Sequence, residues 1–216
     1  MVLSTDSEFF CGVDLGQTQD YTAIAMVERR EQTTDEHDRV TWERVIVTDY
    51  LVRGVKRVPL GTPYPDVVLE IARVAAMASP RNVTLVVDAT GVGAPVVDMI
   101  RQAISGVRVV PVVFTAGSTA RNDGGVHKVP KKDLVHGLMV LFQDGRLRIA
   151  QDTGAYAILT NELKNLRVKI SAEAHVGYEA WREGQHDDLV FALALACWRA
   201  STSVKRTLEQ TRPILW

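Results

Sequence analysis

The chain has 216 residues, of which 46% are hydrophobic and 24% charged, with a formal net charge of -1 at pH 7. This composition predicts a folded protein with a substantial core and argues against long disordered segments. Because the net charge is close to zero, any contact with nucleic acid must come from a local basic patch.

The sequence also argues against a signal peptide, a membrane span and reactive cysteines. Cys11 and Cys197 each lie in an apolar segment and are interpreted as buried free thiols. The N-terminus has neither the basic nor the apolar region of a signal peptide, and no apolar run is long enough to span a bilayer. We therefore expect a protein that is not secreted, works in the cytoplasm and makes no contact with a membrane.

Three strands are predicted at the start of the chain. Apolar or alternating segments indicate strands over residues 9–16, 21–28 and 41–53. Residues 17–20 form a hairpin-like link, and the charged stretch RREQTTDEHDR is an exposed loop or a longer hairpin tip. Because the links are short, the three strands should form an antiparallel meander.

The pattern then changes to alternating helices and strands. We predict a helix over 64–78, a strand over 83–90, a helix after the Gly-rich turn at 91–93, and a strand over 107–114. This order is a βαβ unit, whose two strands run parallel.

The remainder of the chain is predicted to be mainly helical. Its expected elements are a turn-rich stretch at 115–130, a helix from Lys131 to Gln143, a short strand in RLRIA, a helix over 155–168, a small hairpin within 169–184 and a buried helix over 186–200. The fold class is therefore α/β. We expect a mixed sheet of five or more strands, an antiparallel meander plus parallel fourth and fifth strands, with helices on both faces.

A lone carboxylate, Asp14, stands near the end of the first apolar strand. Gly12 and Gly16 flank it on the same face, which we interpret as a bare surface that ions and a phosphate can approach. Asp88 ends the fourth strand, and if the two strands are adjacent and parallel the carboxylates lie roughly 5 Å apart. Two unscreened carboxylates at that spacing repel each other, and a divalent cation between them removes the conflict.

Two further carboxylates, Asp187 and Asp188, open the last predicted helix. A plain N-cap explains one aspartate, but it does not explain two before an apolar helix. Hard oxygen ligands of this kind suit Mg²⁺ or Mn²⁺. Two such ions about 4 Å apart form the arrangement that cleaves phosphodiesters.

Four segments carry a resemblance to a known family: GVDLGQTQDYTAIA, LVVDATGVGAPVVD, VPKKDLVHGLMVLFQDGRLRI and HDDLVFALALA. In this order they resemble the nuclease domain of tailed-bacteriophage terminase large subunits, a branch of the RNase H-like (retroviral-integrase-like) superfamily. The resemblance runs from about residue 9 to 200. It implies an RNase H-like fold whose catalytic metal aspartates are Asp14, Asp88, Asp187 and Asp188, with two Mg²⁺ or Mn²⁺ ions as cofactors.

The resemblance also implies a function and partners. It implies cutting of double-stranded concatemeric viral DNA, with little sequence specificity, during genome packaging in the infected host cell. The implied partners are a terminase ATPase domain, a small terminase subunit and a portal. The sequence has no G-x-x-x-x-G-K-[ST] motif, so we expect no nucleotide cofactor and no packaging ATPase domain.

The expected domain organisation is an N-terminal extension at 1–8, the nuclease domain at 9–200 and a C-terminal tail at 201–216. Two residues next to the carboxylates are candidates for supporting roles. Asp20 could help to hold a metal or a water, although a turn aspartate that bonds its own backbone is the alternative. His186 could move a proton or contact the scissile phosphate, or could simply be exposed.

A local basic cluster is the candidate DNA contact. It comprises Arg121, Lys128, Lys131 and Lys132, on a Gly-containing loop and the start of a helix. Lysines and backbone amides that converge in this way suit phosphate binding, and a solvated loop is the alternative.

Three other functions are compatible with parts of the sequence. GVDLGQT and VVDATGVG also resemble the phosphate loops of ATP-binding actin- and hexokinase-like proteins, but that architecture needs two related domains and leaves the acidic pair unexplained. A Holliday-junction resolvase would share the metal chemistry with a different substrate. An inactive interaction module would not need the full set of carboxylates.

Overall fold

A computed structural model describes residues 2–16, 20–78, 83–91, 93–170, 176–180 and 187–203. Within these ranges the strands are β1 (Val2–Asp14), β2 (Thr22–His37), β3 (Arg44–Val58), β4 (Val83–Asp88), β5 (Arg108–Thr115), β6 (Arg121–Asp123), β7 (Val126–Pro130), β8 (Leu147–Ile149), β9 (Leu166–Ile170) and β10 (Val176–Ala180). The helices are α1 (Tyr64–Ala76), α2 (Gly93–Ala103), α3 (Lys131–Gln143), α4 (Tyr156–Asn165) and α5 (Asp188–Thr202).

The central sheet has eight strands in the order β6-β7-β5-β4-β1-β2-β3-β8. The pairs β1–β2 and β2–β3 are antiparallel, whereas β4 runs parallel to both β1 and β5. The predicted meander and βαβ unit are therefore present, in a sheet larger than its expected five-strand core. The predicted small hairpin within 169–184 corresponds to the β9–β10 ribbon, and residues 171–175 and 181–184 lie outside the described ranges.

The first three strands are longer than predicted. The charged stretch after residue 28 continues β2 to His37, so the longer hairpin is the correct alternative. β1 begins at Val2, and residues expected as an N-terminal extension are part of that strand. Cross-strand ion pairs explain the extension, because the buried Arg29 of β2 forms a salt bridge with Glu8 of β1.

Helices cover both faces of the sheet. On one face α1 and α2 bury their apolar stripes against β1 and β4, and on the other face α3, α4 and α5 form a second core cluster. α5 is apolar nearly all round, with every residue from Asp188 to Cys197 buried, because it lies between the sheet and α3. No helix within the described ranges is long and apolar enough to cross a membrane.

A close approach of α5 to β1 explains Gly12. A Cβ atom at this position would lie 1.9 Å from the carbonyl oxygen of Ala192 and 2.8 Å from the amide nitrogen of Ala196. A Cβ at Gly16 would overlap the backbone of Asp20 and Tyr21, which packs directly against this glycine. The interpretation of both glycines as open access for ions and phosphate is therefore wrong: backbone occupies the space beside each of them.

Candidate active site

Two aspartates end adjacent parallel strands of the sheet. Val13 pairs with Val87, so the next residues, Asp14 and Asp88, stand side by side at the carboxyl ends of β1 and β4. Asp14 is also in register with Ala23 of β2, which in turn pairs with Arg57 of β3. Because directly paired residues point to one face of a sheet, this row places three charged side chains beneath the start of α5.

The two strand-borne carboxyls are in direct contact. Their side chains are close enough to interact directly, and Asp88 is only 6% exposed. Burial, followed by the nearby charges of Asp88, Asp188 and Asp187, raises the pKa of Asp14 well above its usual value of 3.8. Burial also raises the pKa of Asp88. The pair therefore favours a shared proton or a cation over two bare negative charges.

The position of Asp88 is fixed by the turn that follows β4. The backbone N–H of Thr90 donates to Asp88 Oδ1 at 2.8 Å, and the N–H of Phe114 on β5 donates to Thr90 Oγ1 at 2.8 Å. This short aspartate turn holds one carboxylate oxygen and ties it to the neighbouring strand.

The acidic pair Asp187 and Asp188, at the start of α5, is near enough for its charges to act on Asp14. Asp187 is the N-cap residue and Asp188 is the first helical residue, 7% exposed. The side chains of an N-cap residue and of the next residue can both point towards one site, because only the second residue has helical backbone angles. Within the described ranges, no three His, Cys, Asp or Glu side chains lie close enough together to hold a metal ion. The acidic start of α5 is therefore linked to the strand carboxyls by its charge, and the four side chains do not surround a common metal position.

A cation stands beside the carboxylates. Lys131 is the first residue of α3, and its Nζ lies 4.0 Å from the centre of the Phe191 ring on α5. Its charge acts to lower the pKa of both Asp14 and Asp88 against the larger effect of burial. Lys131, expected as a DNA contact, is therefore also part of the site's electrostatics.

Sequence reasoning missed two residues next to the site, Arg57 and Glu162. Arg57 Nη2 donates to Glu162 Oε1 and lies 3.5 Å from Asp188 Oδ2. Glu162, on α4, is 5% exposed, and burial raises its pKa to about 7. A signal for Glu162 was available, because it lies three residues after Leu159 and so falls on the apolar stripe of its helix. Arg57 is 105 residues away from its partner and has no comparable local signal.

The supporting candidates lie at the margins of the described chain. Asp20 is exposed and directly precedes Tyr21, whose ring lies 4.4 Å from the Arg57 guanidinium carbon. His186 lies outside the described residues, so its predicted role stays a prediction.

The basic residues are divided between a hairpin and a helix start. The stretch at 115–130 contains the β6–β7 hairpin, in which Arg121 pairs with Lys128. Lys128 also forms an ion pair with Asp123 at 2.7 Å, and Lys132 is the second residue of α3. Arg121 and Lys128 line an open pocket of about 380 Å³, whose other lining residues are Thr115, Gly117, Ser118 and Thr119. This pocket offers cations and hydroxyl groups to an anion.

Comparisons with known proteins agree with this architecture. A family model described as the terminase RNaseH-like domain matches residues 67–199, more than half of the chain. A search of curated proteins gives no match.

Solved structures similar to the chain include the large terminase nuclease from thermophilic phage G20c, with bound magnesium and with bound cobalt. Each is 21% identical, with a TM-score of 0.58, and the match covers 90% of this chain and 82% of that one. The Thermus phage P74-26 large terminase nuclease domain is also 21% identical, with a TM-score of 0.56 over 90% of this chain and 80% of that one. At this level of identity, the likeness establishes a shared fold.

Proposed function

The chain belongs to the terminase RNaseH-like domain family, and from that premise we propose that it is a metal-dependent endonuclease that cuts double-stranded viral DNA during genome packaging. The observation that supports the proposal is the position of Asp14 and Asp88 side by side at the ends of β1 and β4, with the charges of Asp187 and Asp188 at the start of α5 acting on Asp14. We propose residues 9–200 as the nuclease domain, extended at its start by the rest of β1.

The donor set fits hard divalent cations. All four side chains offer carboxylate oxygens, the ligands that Mg²⁺ and Mn²⁺ prefer. Burial and mutual repulsion disfavour the bare charges of Asp14 and Asp88, so a bound cation would relieve an existing strain. When bound, two such ions supply an activated water and stabilisation of the leaving oxygen of the phosphodiester.

The remaining residues would orient the substrate. Lys131 lies beside the carboxylates and is suited to contact a phosphate there. Arg121 and Lys128 would hold the DNA backbone a short distance away, with Lys132 at the start of α3. Contacts of this kind are made to phosphates rather than bases, so little sequence specificity is expected. Asp20 would help to hold a metal or a water, and His186 would move a proton or contact the scissile phosphate.

The proposed partners follow from the family. They are double-stranded DNA, a terminase ATPase domain, a small terminase subunit and a portal, all acting in the host cytoplasm. The 216-residue sequence has no P-loop motif, so the energy for DNA translocation would come from the proposed ATPase partner.

A plasmid-cutting assay tests the proposal. Supercoiled DNA should be nicked and linearised with Mn²⁺ and stay intact with EDTA. Asp14→Asn and Asp88→Asn should abolish cutting, whereas Asp98→Asn, an exposed change on α2, should not affect it. Wild-type rates in either active-site variant would refute the assignment of these residues.

Two further measurements separate the alternatives. A strong preference for a four-way junction over linear duplex would favour a resolvase. A protein that binds a nucleotide melts at a higher temperature in its presence. A rise in melting temperature with ATP would therefore favour the hypothesis of an actin- or hexokinase-like protein.

A further inference from the structure

We propose that Glu162 and Arg57 are positioning residues for the metal site: Glu162 caps α5 from outside that helix and holds Arg57 against Asp188. The inference rests on the proposed function, since Asp188 is taken as a metal ligand. It adds two residues to the site, contributed by α4 and β3, from which no part of the site was expected.

The cap of α5 comes from α4. The backbone N–H of Val190, the third residue of the helix, donates to Glu162 Oε2 at 3.1 Å. In most helices an oxygen of the N-cap side chain accepts this hydrogen bond. Among the described residues, the N-cap Asp187 makes no such capping bond through its side chain. Glu162 therefore performs the capping role for α5.

The other oxygen of Glu162 fixes an arginine. Glu162 Oε1 accepts from Arg57 Nη2, the same nitrogen that lies 3.5 Å from Asp188 Oδ2. The guanidinium of Arg57 also lies over the Tyr21 ring, 4.4 Å from its centre. A planar guanidinium held by a carboxylate on its edge and a ring on its face has little rotational freedom. Arg57 is thus a rigid contact for the carboxylate of Asp188.

The contact between Arg57 and Asp188 counteracts the repulsion among the carboxylates of the site. Asp14, Asp88, Asp187 and Asp188 repel one another, and the charge of Asp188 already acts on Asp14. A carboxylate in such a group turns away unless an outside partner holds it. Partners of this kind orient metal ligands in many proteins, and their removal typically costs about 10–100-fold in metal affinity or activity.

Charge-conserving variants test the proposal, because they leave the long-range electrostatics unchanged. Arg57→Lys keeps the positive charge but loses the planar fork, and Glu162→Asp keeps the negative charge but is one methylene shorter. The chain offers a matched control pair in Arg53 and Glu28. Arg53 lies four residues before Arg57 on β3 and donates to Glu28 at 2.6 Å, and Glu28, like Glu162, is 5% exposed.

The control pair is remote from the site. Glu28 lies five residues along β2 from Ala23, or about 17 Å at the usual rise per residue. The measurements are Mn²⁺ affinity by titration calorimetry, plasmid cutting over a range of Mn²⁺ concentrations, and the melting temperature of each variant.

Arg57→Lys and Glu162→Asp should each bind Mn²⁺ about 10-fold or more weakly, and should recover much of their cutting rate at saturating Mn²⁺. Arg53→Lys and Glu28→Asp should bind Mn²⁺ with an affinity within about 2-fold of wild type. This should hold even where their melting temperatures fall as far as those of Arg57→Lys and Glu162→Asp. If the first pair binds Mn²⁺ as wild type does, or the control pair loses as much affinity, the inference is overturned while the proposed function stands. A wild-type protein that neither binds Mn²⁺ nor cuts DNA would overturn both.

Discussion

The contact between Gly12 and α5 makes a sharp prediction for Gly12→Ala. The added Cβ would lie 1.9 Å from the carbonyl oxygen of Ala192, whereas real Cβ contacts are essentially never below 3.0 Å. α5 or β1 must therefore move by about 1.1 Å or more. Overpacking of this kind typically costs about 1–3 kcal/mol of folding free energy. For a chain of this size, that corresponds to a fall of roughly 2–12 °C in melting temperature.

The effect on DNA cutting should exceed the effect on stability. Ala192 lies one helical turn after Asp188, so a shift at Ala192 displaces the acidic start of α5 relative to Asp14. A misplacement of about 1 Å at a catalytic site can cost about 100-fold in rate. At a temperature where Gly12→Ala is fully folded, its rate of plasmid cutting should therefore be roughly 10–100-fold lower than that of wild type.

Gly54→Ala is the matched control. It lies on β3 of the same sheet, and an added Cβ would have no neighbour within 4 Å. Its melting temperature and cutting rate should stay close to wild type, because the change brings no new contact. Wild-type melting and cutting by Gly12→Ala would refute the account of how α5 is seated.

Three other predictions concern charge. Burial and neighbouring carboxylates raise the pKa of Asp14 above its unfolded value of 3.8. Between the unfolded and the folded pKa, the folded state keeps a proton on Asp14 that the unfolded state loses. The free energy of unfolding without metal therefore falls as the pH rises from the unfolded pKa to the folded pKa. Asp14→Asn should therefore raise the melting temperature without metal at neutral pH while abolishing cutting, and an unchanged or lower melting temperature would contradict this. Mn²⁺ must displace protons from Asp14 and Asp88, whose pKa values are both raised by burial, so calorimetry should show an affinity for Mn²⁺ that falls as the pH is lowered from neutral. Arg29→Met should lower the free energy of unfolding by about 3 kcal/mol, measured by urea unfolding, because the buried Arg29 donates to the Ala200 carbonyl at the end of α5. Arg30 is more exposed, so Arg30→Met should lower it much less.

Local sequence patterns predicted much of the fold. α3 has the predicted bounds, Lys131–Gln143, because Pro130 begins it and the Asp144-Gly145 pair ends it. The parallel strands β4 and β5 were predicted because a buried strand is a continuous apolar run. The polar half of β2 was left undecided, since ion pairs with residues of another strand, such as Arg29 with Glu8, hold it in the sheet.

The site was predicted to the extent that single residues carried a local anomaly. Asp14 interrupts a buried strand, Asp88 ends one, and Asp187 and Asp188 open an apolar helix. Arg57 carries no anomaly, because an arginine near the end of a strand is ordinary and its partner is 105 residues away. Residues that act through another side chain become visible only when the fold brings distant segments together.

The seating of α5 links folding to the proposed chemistry. The helix is restrained at its start by Glu162, near its middle by the backbone contact at Gly12, and at its end by Arg29. These three residues lie on α4, β1 and β2, so each restraint depends on the whole sheet being formed. Ionised carboxylates crowded at one edge repel one another, and this repulsion would push a loosely held helix away from the sheet. A firmly seated α5 keeps Asp188 near Asp14 before any metal binds, so the apolar burial of the helix offsets the electrostatic cost of assembling the site.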